Sequence, residues 1–430
     1  MLAGSGLEAV LRVGGTMITG WWHLAFAIEG LDLGLGALLV VVAWREVRRP
    51  PEKEREVPAL SVLISAYDEV ESIVETIAAV RAQEGVALEI LVGDDGSTDG
   101  TADVVEAAYP DGVRVYRFAH GGKGATLNAL ASHARHPVLI TLDGDGVPTR
   151  GALAAMARAF ADPAVDAAAG MITVRNGRAS WLLRHQSGEY QRTSAMRIGW
   201  SVLGGLEQLP GAFTGVRADR FAAAGGFPED SLTEDYELVY RLLDRARATG
   251  KPPLVVTVPA AQVLTDGPRT LGGFIGQRTR WFAGFLTTLA RFPWLVFDAR
   301  LGTFGLVRLP LKVVDAFVPL LTIATVFGVL RHGVSPIFSH AALLLLAVRW
   351  GWSLALYALS DRLARRLGDP AATRAAHPPS PLGWLAAATE LVTYLWLRQI
   401  ATLRAYVWAL RRLRTWEASR HRGRPKEPVP

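Results

Sequence analysis

The stretch "LEILVGDDGSTDGT", residues 88–101, is the clearest guide to the architecture of this chain. An apolar run leads into Asp94 and Asp95, and a glycine turn and a Ser/Thr-rich helix start follow. Similar runs, "LSVLIS", "VRVYRF" and "PVLITLDGD", alternate with helical stretches at about residues 70–83, 98–108 and 122–134. This alternation predicts βαβ units and a mainly parallel sheet, an α/β fold whose active site lies at the carboxyl ends of the strands.

Acidic residues gather at these predicted strand ends. In "ITLDGDG", residues 140–146, a strand runs into Asp143 and Asp145. Residues i and i+2 of an extended segment project to the same side, so both carboxylates can face one cation. Oxygen ligands without His or Cys favour Mg²⁺ or Mn²⁺ shared with substrate phosphates. The alternative interpretation is an acidic turn without a ligand.

Helix capping is the competing interpretation for two other polar stretches. Ser97 and Thr98 in the opening stretch are residue types that cap a helix start. In "SLTEDYELVYRLL", Thr233, Glu234 and Asp235 also suit a helix N-terminus, where the dipole favours acidic residues. The same position would hold a carboxylate at the mouth of the sheet, where it could act as a general base towards an acceptor hydroxyl.

Composition divides the chain into a mixed centre and apolar ends. The 430 residues are 50% hydrophobic, and the excess lies outside about residues 57–270. About 20 apolar residues span a hydrocarbon core, so membrane helices are predicted at residues 21–44, 313–331, 337–359 and 383–410. The net charge of +6 comes from basic runs beside these segments, which is typical of cytoplasmic flanks and argues against nucleic acid as a partner. The absence of cysteine excludes disulfides and thiolate metal sites.

These features predict a multi-pass protein of the inner (cytoplasmic) cell membrane. The last apolar region carries Glu390, Arg398 and Arg404, so it is one span plus an amphipathic helix, or a tight hairpin, and the span count is four or five. The predicted regions are an N-terminal anchor with its cytoplasmic flank (1–50), a cytosolic catalytic domain (51–275), a segment with an interfacial helix (276–300), C-terminal transmembrane helices (301–412) and a basic cytoplasmic tail (413–430).

Six motifs, read in order, resemble those of one enzyme family: "ISAYDEVESI", "VGDDGSTDGT", "GGKGATLNAL", "LITLDGDGVP", "PGAFTGVRADRFAAAGGFPEDSLTEDYEL" and "GQRTRW". The chain is similar to the membrane-bound inverting family-2 glycosyltransferases, a group that includes cellulose, hyaluronan and poly-N-acetylglucosamine synthases. The resemblance covers roughly residues 58–285. It implies a GT-A fold, a UDP-sugar donor, a divalent cation (Mg²⁺ or Mn²⁺) and transfer with inversion to a polysaccharide or lipid acceptor.

The resemblance also implies roles for individual positions. Those on the nucleotide and donor side are Tyr67, Glu69, Asp95, Lys123 and Asp143. Asp143 with Asp145 looks like the family's DxD pair, which holds the donor or its metal-diphosphate, and Asp235, with Glu234 beside it, looks like the catalytic base. The positions that line the acceptor or contact the diphosphate are Phe213, Thr214, Gly215, Gln277, Arg280 and Trp281.

Three functions compete on the sequence. The first is processive synthesis of a β-linked extracellular polysaccharide, the second is addition of a single sugar to a membrane lipid, as ceramide glucosyltransferases do, and the third is an inactive scaffold. The complete set of carboxylates argues against a scaffold. The pattern Gln-x-x-Arg-Trp resembles the processive members, although a tryptophan at this point could also anchor the chain at a membrane surface. The few predicted spans leave room for an accessory membrane subunit.

Overall fold

A single sheet forms the centre of the structure. The computed structural model describes residues 33–48, 56–332, 336–367 and 381–421, together with residues 27, 30 and 31. The strands are β1 (Leu60–Ala66), β2 (Leu88–Asp94), β3 (Arg114–Arg117), β4 (Val138–Asp143), β5 (Val147–Pro148), β6 (Val165–Val174), β7 (Phe213–Arg217) and β8 (Leu254–Thr265). They form an eight-stranded sheet in the order β3-β2-β1-β4-β7-β6-β8-β5.

Helices cover both faces of the sheet and make up the C-terminal third. They are α1 (33–47), α2 (Ile73–Arg81), α3 (Thr101–Ala108), α4 (Lys123–Ser132), α5 (Ala152–Ala159), α6 (Trp181–Val202), α7 (Ala218–Ala223), α8 (Glu234–Thr249), α9 (Leu271–Arg291), α10 (Leu309–His332), α11 (Pro336–Leu367), α12 (Pro381–Thr389) and α13 (Tyr394–His421). Between α9 and α10 lie short helical turns, at Pro293–Leu295, Ala299–Leu301 and Phe304–Arg308.

The sheet is mainly parallel, as the alternating pattern predicts. β1 pairs in parallel with β2 and β4, β2 with β3, and β6 with β8. β7 is antiparallel to both β4 and β6, and β5 is antiparallel to β8, so these two strands run against their neighbours. The reversal of β7 follows from its connection. Helix α6 and the loop after it return the chain to the carboxyl edge of the sheet, so the next strand starts there.

The two faces of the sheet contribute to different apolar layers. In β1, Leu60, Val62 and Ile64 belong to a buried cluster with side chains of α2, α3 and α5. Leu63 belongs to a second cluster on the other face, with side chains of α4 and α8. Successive residues of a strand point to opposite faces, and strands buried on both faces read as continuous apolar runs. Because they are buried on both faces, the parallel strands could be predicted from the sequence.

The C-terminal helices pack against the sheet domain and against each other. The last predicted span, residues 383–410, is divided between α12 and α13 by a 3-10 turn at Glu390–Val392. Helix α13 lies along α9, where Ala283 meets Ala405 and Ala409. The predicted region 383–410 thus contains two helices, α12 and most of α13, that are separated by a turn.

Membrane crossing was predicted for both ends of the chain. Over the described ranges, no helix is both long and apolar enough to cross a membrane. The predicted spans 313–331 and 337–359 fall within α10 and α11. Most of residues 21–32 of the predicted anchor, and residues 422–430 of the predicted tail, lie outside the described residues.

A buried ion pair fixes the segment before β7 to the start of the C-terminal helices. Glu207, which is 2% exposed, accepts two hydrogen bonds from the Arg308 guanidinium, at 2.6 Å each. The guanidinium also lies 4.3 Å from the ring centroid of Trp200 on α6. Paired, planar contacts of this kind set both the distance and the orientation of two elements.

We predict that Glu207→Gln lowers the thermal unfolding midpoint strongly, because it leaves the Arg308 charge buried and uncompensated, which typically costs about 3–5 kcal/mol. The double variant Glu207→Leu/Arg308→Met removes both charges and should recover more than half of the loss. Thermal unfolding of the purified protein measures both effects. Equal midpoints for the two variants would contradict this account.

Candidate active site

The loops after β1 and β2 are joined by direct hydrogen bonds. Asp68 has a positive φ of 54°, a backbone region that aspartate tolerates better than most residues. Its carboxylate accepts from the Thr98 amide at 2.8 Å, and its own amide donates to Ser97 Oγ at 3.0 Å. Ser97 and Thr98 therefore join two loops instead of capping α3, which begins at Thr101 with Asp99 Oδ1 accepting from the Thr101 amide.

Asp95 holds the glycine-rich loop at the start of α4. The carboxylate is buried and accepts hydrogen bonds from the amides of Gly121 at 2.8 Å and Gly122 at 3.0 Å. It also accepts from the Thr126 hydroxyl at 3.0 Å and lies 3.0 Å from Nδ1 of His120. This set of contacts fixes where α4 begins, and therefore where Lys123 projects.

Tyr67 and His120 form an open aromatic pair at the same edge. Their ring centroids lie 4.5 Å apart with an interplanar angle of 36°, and Tyr67 is 48% exposed. Aromatic faces left open to solvent can stack on another flat ring. His120 was not among the residues that the sequence singled out, because a lone histidine in a loop carries no distinctive pattern.

Lys123 connects three of the sequence motifs. Its ammonium lies 2.5 Å from Asp143 Oδ1, donates to the carbonyl of Gly211 at 3.0 Å and lies 3.4 Å from Glu234 Oε1. Burial by itself would lower the pKa of Lys123, but the negative charges of Asp143 and Glu234 outweigh it and the pKa is raised. The lysine is thus a permanent cation at the point where these elements meet.

Asp145 and Glu69 lie beside this centre and share its excess of negative charge. Asp145 Oδ2 accepts from the Thr265 hydroxyl at 3.0 Å, and Glu69 packs against Gly144. Burial, and then the neighbouring carboxylates, raise the pKa of Asp145; burial also raises the pKa of Glu69, to which Asp145 and Asp143 add. Like charges held together in a partly buried space favour a bound cation.

The donor set fits a divalent cation that is shared with a substrate. Asp143 ends β4 and Asp145 follows it by two residues, so both belong to the same edge of the sheet. Within the described part of the chain, no group of three or more His, Asp or Glu side chains is arranged to hold a metal by itself. Mg²⁺ and similar ions are commonly held by one or two carboxylates and completed by substrate phosphates and water. Asp143 and Asp145 are the residues that would hold such an ion.

Asp235 lies on the first turn of α8, next to Lys123. Burial, and then the charge of Glu234, raise its pKa to about 6, while Lys123 opposes this shift. A Cβ atom on Gly211 would lie 3.1 Å from Asp235 Oδ2 and 3.2 Å from Lys123 Nζ. The close approach of these groups leaves little room for a side chain at position 211. Asp235 therefore has the environment of a general base that is charged near neutral pH.

Helix α9 is packed tightly against the start of α8. A Cβ atom on Gly284 would lie 2.3 Å from Thr233 Oγ1, so the two helices touch at this glycine. Arg280 donates to the carbonyl of Leu232 at 3.2 Å. Farther along, Arg291 binds Asp230 and Glu237, at 2.9 and 2.8 Å. Thr233 occupies the N-cap position, but its hydroxyl does not cap the helix.

Gln277 and Trp281 face α6, an element that the sequence analysis did not single out. Gln186 Nε2 donates to Gln277 Oε1 at 3.2 Å. Trp281 lies 6.3 Å from the ring of Tyr190 and 4.4 Å from the guanidinium of Arg278, measured to the ring centroid. Polar side chains of α6 are buried, among them His185, Gln186, Ser187 and Ser194, because the helix packs against the sheet and the C-terminal helices as well as α9.

The predicted acceptor residues of β7 are not part of this cluster. Phe213 and Thr214 are both 0% exposed, and the Thr214 hydroxyl donates to the carbonyl of Pro210 at 2.7 Å. A Cβ atom on Gly215 would lie 2.6 Å from the ring of Phe160. The structure thus brings together, at one edge of the sheet, Tyr67, Glu69, Asp95, Lys123, Asp143, Asp145, Glu234 and Asp235. Arg280 approaches this group from α9, while Gln277 and Trp281 of the same helix contact α6. The side chains of Phe213 and Thr214 lie in the core, and Gly215 packs against Phe160 there.

A mainly parallel sheet with a pair of carboxylates at the end of a central strand defines the class: a GT-A-type α/β fold of the glycosyltransferases. Its similarity to a solved structure, the mannosyltransferase of Pyrobaculum calidifontis in complex with GDP-Man and Mn²⁺, supports the fold. The match covers 91% of this chain and 99% of that one, with a TM-score of 0.54 and 20% identity. The predicted α/β fold is therefore confirmed.

The sequence matches two family descriptions, Glycosyl transferase family 2 over residues 61–214 and Glycosyl transferase family group 2 over residues 138–359. The second match alone covers more than half of the chain. This protein belongs to the family-2 glycosyltransferases.

Two relatives carry the same name. Poly-beta-1,6-N-acetyl-D-glucosamine synthase of Staphylococcus aureus (strain COL) is 27% identical over 256 residues, which is 57% of this chain and 60% of that protein. The enzyme of Staphylococcus epidermidis is 26% identical over 250 residues, 56% of this chain and 58% of that protein. The chain thus spans less than two thirds of the length of these relatives.

The contact between Gly284 and Thr233 can be tested by adding one methyl group. We predict that Gly284→Ala destabilises the protein by about 1–3 kcal/mol, because the new Cβ must push α9 away from the start of α8. Gly272→Ala is the matched control, since it lies on the same helix and a Cβ there meets nothing within 4 Å. Thermal unfolding compares the two variants. A midpoint for Gly284→Ala at or above that of Gly272→Ala would contradict the predicted packing.

Proposed function

We propose that this protein transfers a sugar from a UDP-sugar donor to an acceptor hydroxyl with inversion, in the processive synthesis of a β-linked extracellular polysaccharide. The observation that carries the proposal is the meeting of Asp235, Lys123 and Asp143 at the carboxyl edge of the sheet. An in-line displacement needs a base and a phosphate-binding centre on opposite sides of the anomeric carbon, and a donor bound at this edge would place that carbon between Asp235 and the centre formed by Lys123 and Asp143. The shared name of the two staphylococcal relatives supports a polysaccharide product.

The donor would lie across the ends of β1, β2 and β4. The open pair of Tyr67 and His120 suits a flat base, next to the loop that Asp95 holds. Asp143 and Asp145 would hold Mg²⁺ or Mn²⁺ on the diphosphate, and this ion would stabilise the charge of the leaving group. Lys123 adds a positive charge on the same side. Positive groups aimed at developing negative charge usually contribute more to such catalysis than any other single effect.

Transfer itself requires a proton acceptor. The acceptor hydroxyl oxygen forms a bond to the anomeric carbon as the bond from that carbon to the diphosphate breaks, and the hydroxyl proton passes to Asp235. The nucleoside diphosphate leaves with the electron pair of the broken bond. Attack from the face opposite the leaving group inverts the anomeric centre. General-base help of this kind is commonly worth about 10²- to 10⁴-fold.

The acceptor side is assigned to α9. Trp281 is partly exposed, and its ring lies beside Arg278 and Tyr190, so its exposed part offers a flat surface for the terminal sugar of the acceptor. Arg280 points from the same helix towards the start of α8, near the base. The arginine suits the diphosphate, because a guanidinium can bind phosphate oxygens in pairs.

We further propose that the C-terminal helices contact a lipid bilayer, with the sheet domain on the cytoplasmic side of the cell membrane. Large apolar side chains on α10, α12 and α13 are exposed, and exposed apolar surface in this number favours a membrane or partner contact. They include Phe317, Leu320, Leu385, Ile400, Val407 and Leu410. An accessory membrane subunit could complete a path for the polymer.

An assay with purified protein in detergent or vesicles tests the proposed function. UDP-N-acetylglucosamine is the first donor to use, given the name of the relatives, followed by other UDP-sugars, each with Mg²⁺ or Mn²⁺. The expected result is metal-dependent release of UDP together with a product of many sugars. A product that never exceeds one added sugar would favour lipid glycosylation instead, and no UDP release with any donor would contradict transferase activity.

The pH dependence of transfer should report Asp235. The base must be ionised to accept a proton, so kcat/KM should fall as the pH drops through about 6, the raised pKa of Asp235. Charged groups that act on this carboxylate are Glu234, Lys123, Arg280 and Arg197. Glu234→Gln removes the negative neighbour and should therefore move the acid limb to lower pH.

Asp235→Asn provides the control for this profile. It should abolish transfer while leaving donor binding largely intact, measured by titration with the UDP-sugar. An equal loss of donor affinity and turnover would count against Asp235 as the base.

A further inference from the structure

A buried carboxylate on α6 lies behind the surface that we assign to the acceptor. Glu189 Oε2 binds the Arg278 guanidinium at 2.5 Å and accepts from the Tyr394 hydroxyl at 2.6 Å. Its other oxygen lies 3.5 Å from Arg398. One side chain of α6 thus joins α9 and α13. Of these residues only Arg278 lies within a motif that the sequence analysis recognised, "GQRTRW", and no role was assigned to it there.

The partner of Glu189 is the residue that supports Trp281. Arg278 has its charged group 4.4 Å from the centroid of the Trp281 ring, within the range of a cation–π contact. It is also hydrogen-bonded to Tyr394, at 3.3 Å. Because the Arg278 side chain is only 9% exposed, water cannot solvate its charge in place of the Glu189 carboxylate. Without that carboxylate the guanidinium would turn away from its buried position, and the support of the ring would be lost.

Two of the predicted site residues on α9, Gln277 and Trp281, therefore depend on contacts with α6. Gln277 is held by Gln186, and Trp281 is held through Glu189 and Arg278 and by the ring of Tyr190. The same carboxylate binds two residues of α13. The state of α13 and the position of Trp281 are thus connected by one ionised group. Burial would raise the pKa of Glu189, but Arg278 and Arg398 hold it below the ordinary value.

We propose that Glu189 is a positioning residue for acceptor binding: it fixes Trp281 through Arg278 and makes the acceptor surface depend on the docking of α13. The proposal rests on the proposed function, since it assumes that Trp281 meets the acceptor. It assigns no chemical step to Glu189. Donor binding, which takes place at the ends of β1, β2 and β4, should not depend on this residue.

The chain offers a matched control. Arg192 on α6 forms an ion pair with Glu390, in the turn before α13, with side chains 14% and 12% exposed. The corresponding values for Arg278 and Glu189 are 9% and 14%. Glu390→Gln therefore breaks a similar contact between α6 and the C-terminal region, but one that does not include Arg278 or Trp281.

The kinetic test compares Glu189→Gln with Glu390→Gln. β-1,6-linked N-acetylglucosamine oligosaccharides serve as acceptor and UDP-N-acetylglucosamine as donor. Glu189→Gln should raise the KM for the oligosaccharide about tenfold, the size of a lost cation–π contact, with kcat, donor KM and slow hydrolysis of donor by water unchanged. Glu390→Gln should leave all four values unchanged. Equal effects of the two variants, or an equal rise in donor KM, would overturn the proposal.

Tyr394→Phe keeps the test valid if Glu189→Gln does not fold. This variant removes only the hydroxyl that Glu189 and Arg278 share and leaves the charges paired. It should raise the acceptor KM about threefold, again without change in donor KM. No change in acceptor KM would contradict the role of the network.

A measurement without substrate separates this proposal from the proposed function. In protein labelled with 5-fluorotryptophan, the Trp281 signal in the ¹⁹F NMR spectrum is identified by its loss in Trp281→Phe. Glu189→Gln should shift that signal, and Glu390→Gln should not. If the signal shifts in an enzyme that releases no UDP, the positioning role of Glu189 is supported and the proposed function is contradicted. If the signal does not shift in an enzyme that is active, the proposed function is supported and the positioning role is contradicted.

Discussion

The ammonium group of Lys123 is the interaction on which the candidate site depends. It lies between a carboxylate at the end of β4 and a carboxylate at the start of α8, two elements that are far apart in the chain. Without a cation at this point, Asp143, Glu234 and Asp235 would repel one another in a partly buried space. The lysine is placed by Asp95, whose hydrogen bonds to the glycine-rich loop fix the first turn of α4.

Helix α9 extends this centre towards the rest of the molecule. On one side it touches the start of α8 at Gly284, and on another it meets α6 through Gln277 and Arg278. A rigid helix that contacts both elements sets the distance between the proposed base and the surface of Trp281. The same helix carries α13, so the C-terminal region and the site are mechanically connected.

The donor half of the site was predictable because its acidic residues directly follow strands that can be recognised in the sequence. Buried strands are continuous apolar runs, so Asp95, Asp143 and Asp145 could be placed at one edge from the sequence, and the structure brings them there. The helix starts were less accurate: α3 begins at Thr101, since Ser97 and Thr98 bond to the loop after β1. The α6 residues were missed, because a charged side chain that is neutralised by a partner distant in the chain looks the same in sequence as one that faces water.

The sequence by itself determined the α/β architecture, the family and the carboxylates of the donor side, because periodic burial and the residues that follow each strand are local properties. Only the tertiary structure decided which charges neutralise one another. It placed Lys123 between Asp143 and Glu234, buried Phe213 and Thr214 in the core, and put Glu189 behind Trp281. Electrostatic partners are chosen by distance in space, and the spacing of residues along the chain does not contain that distance.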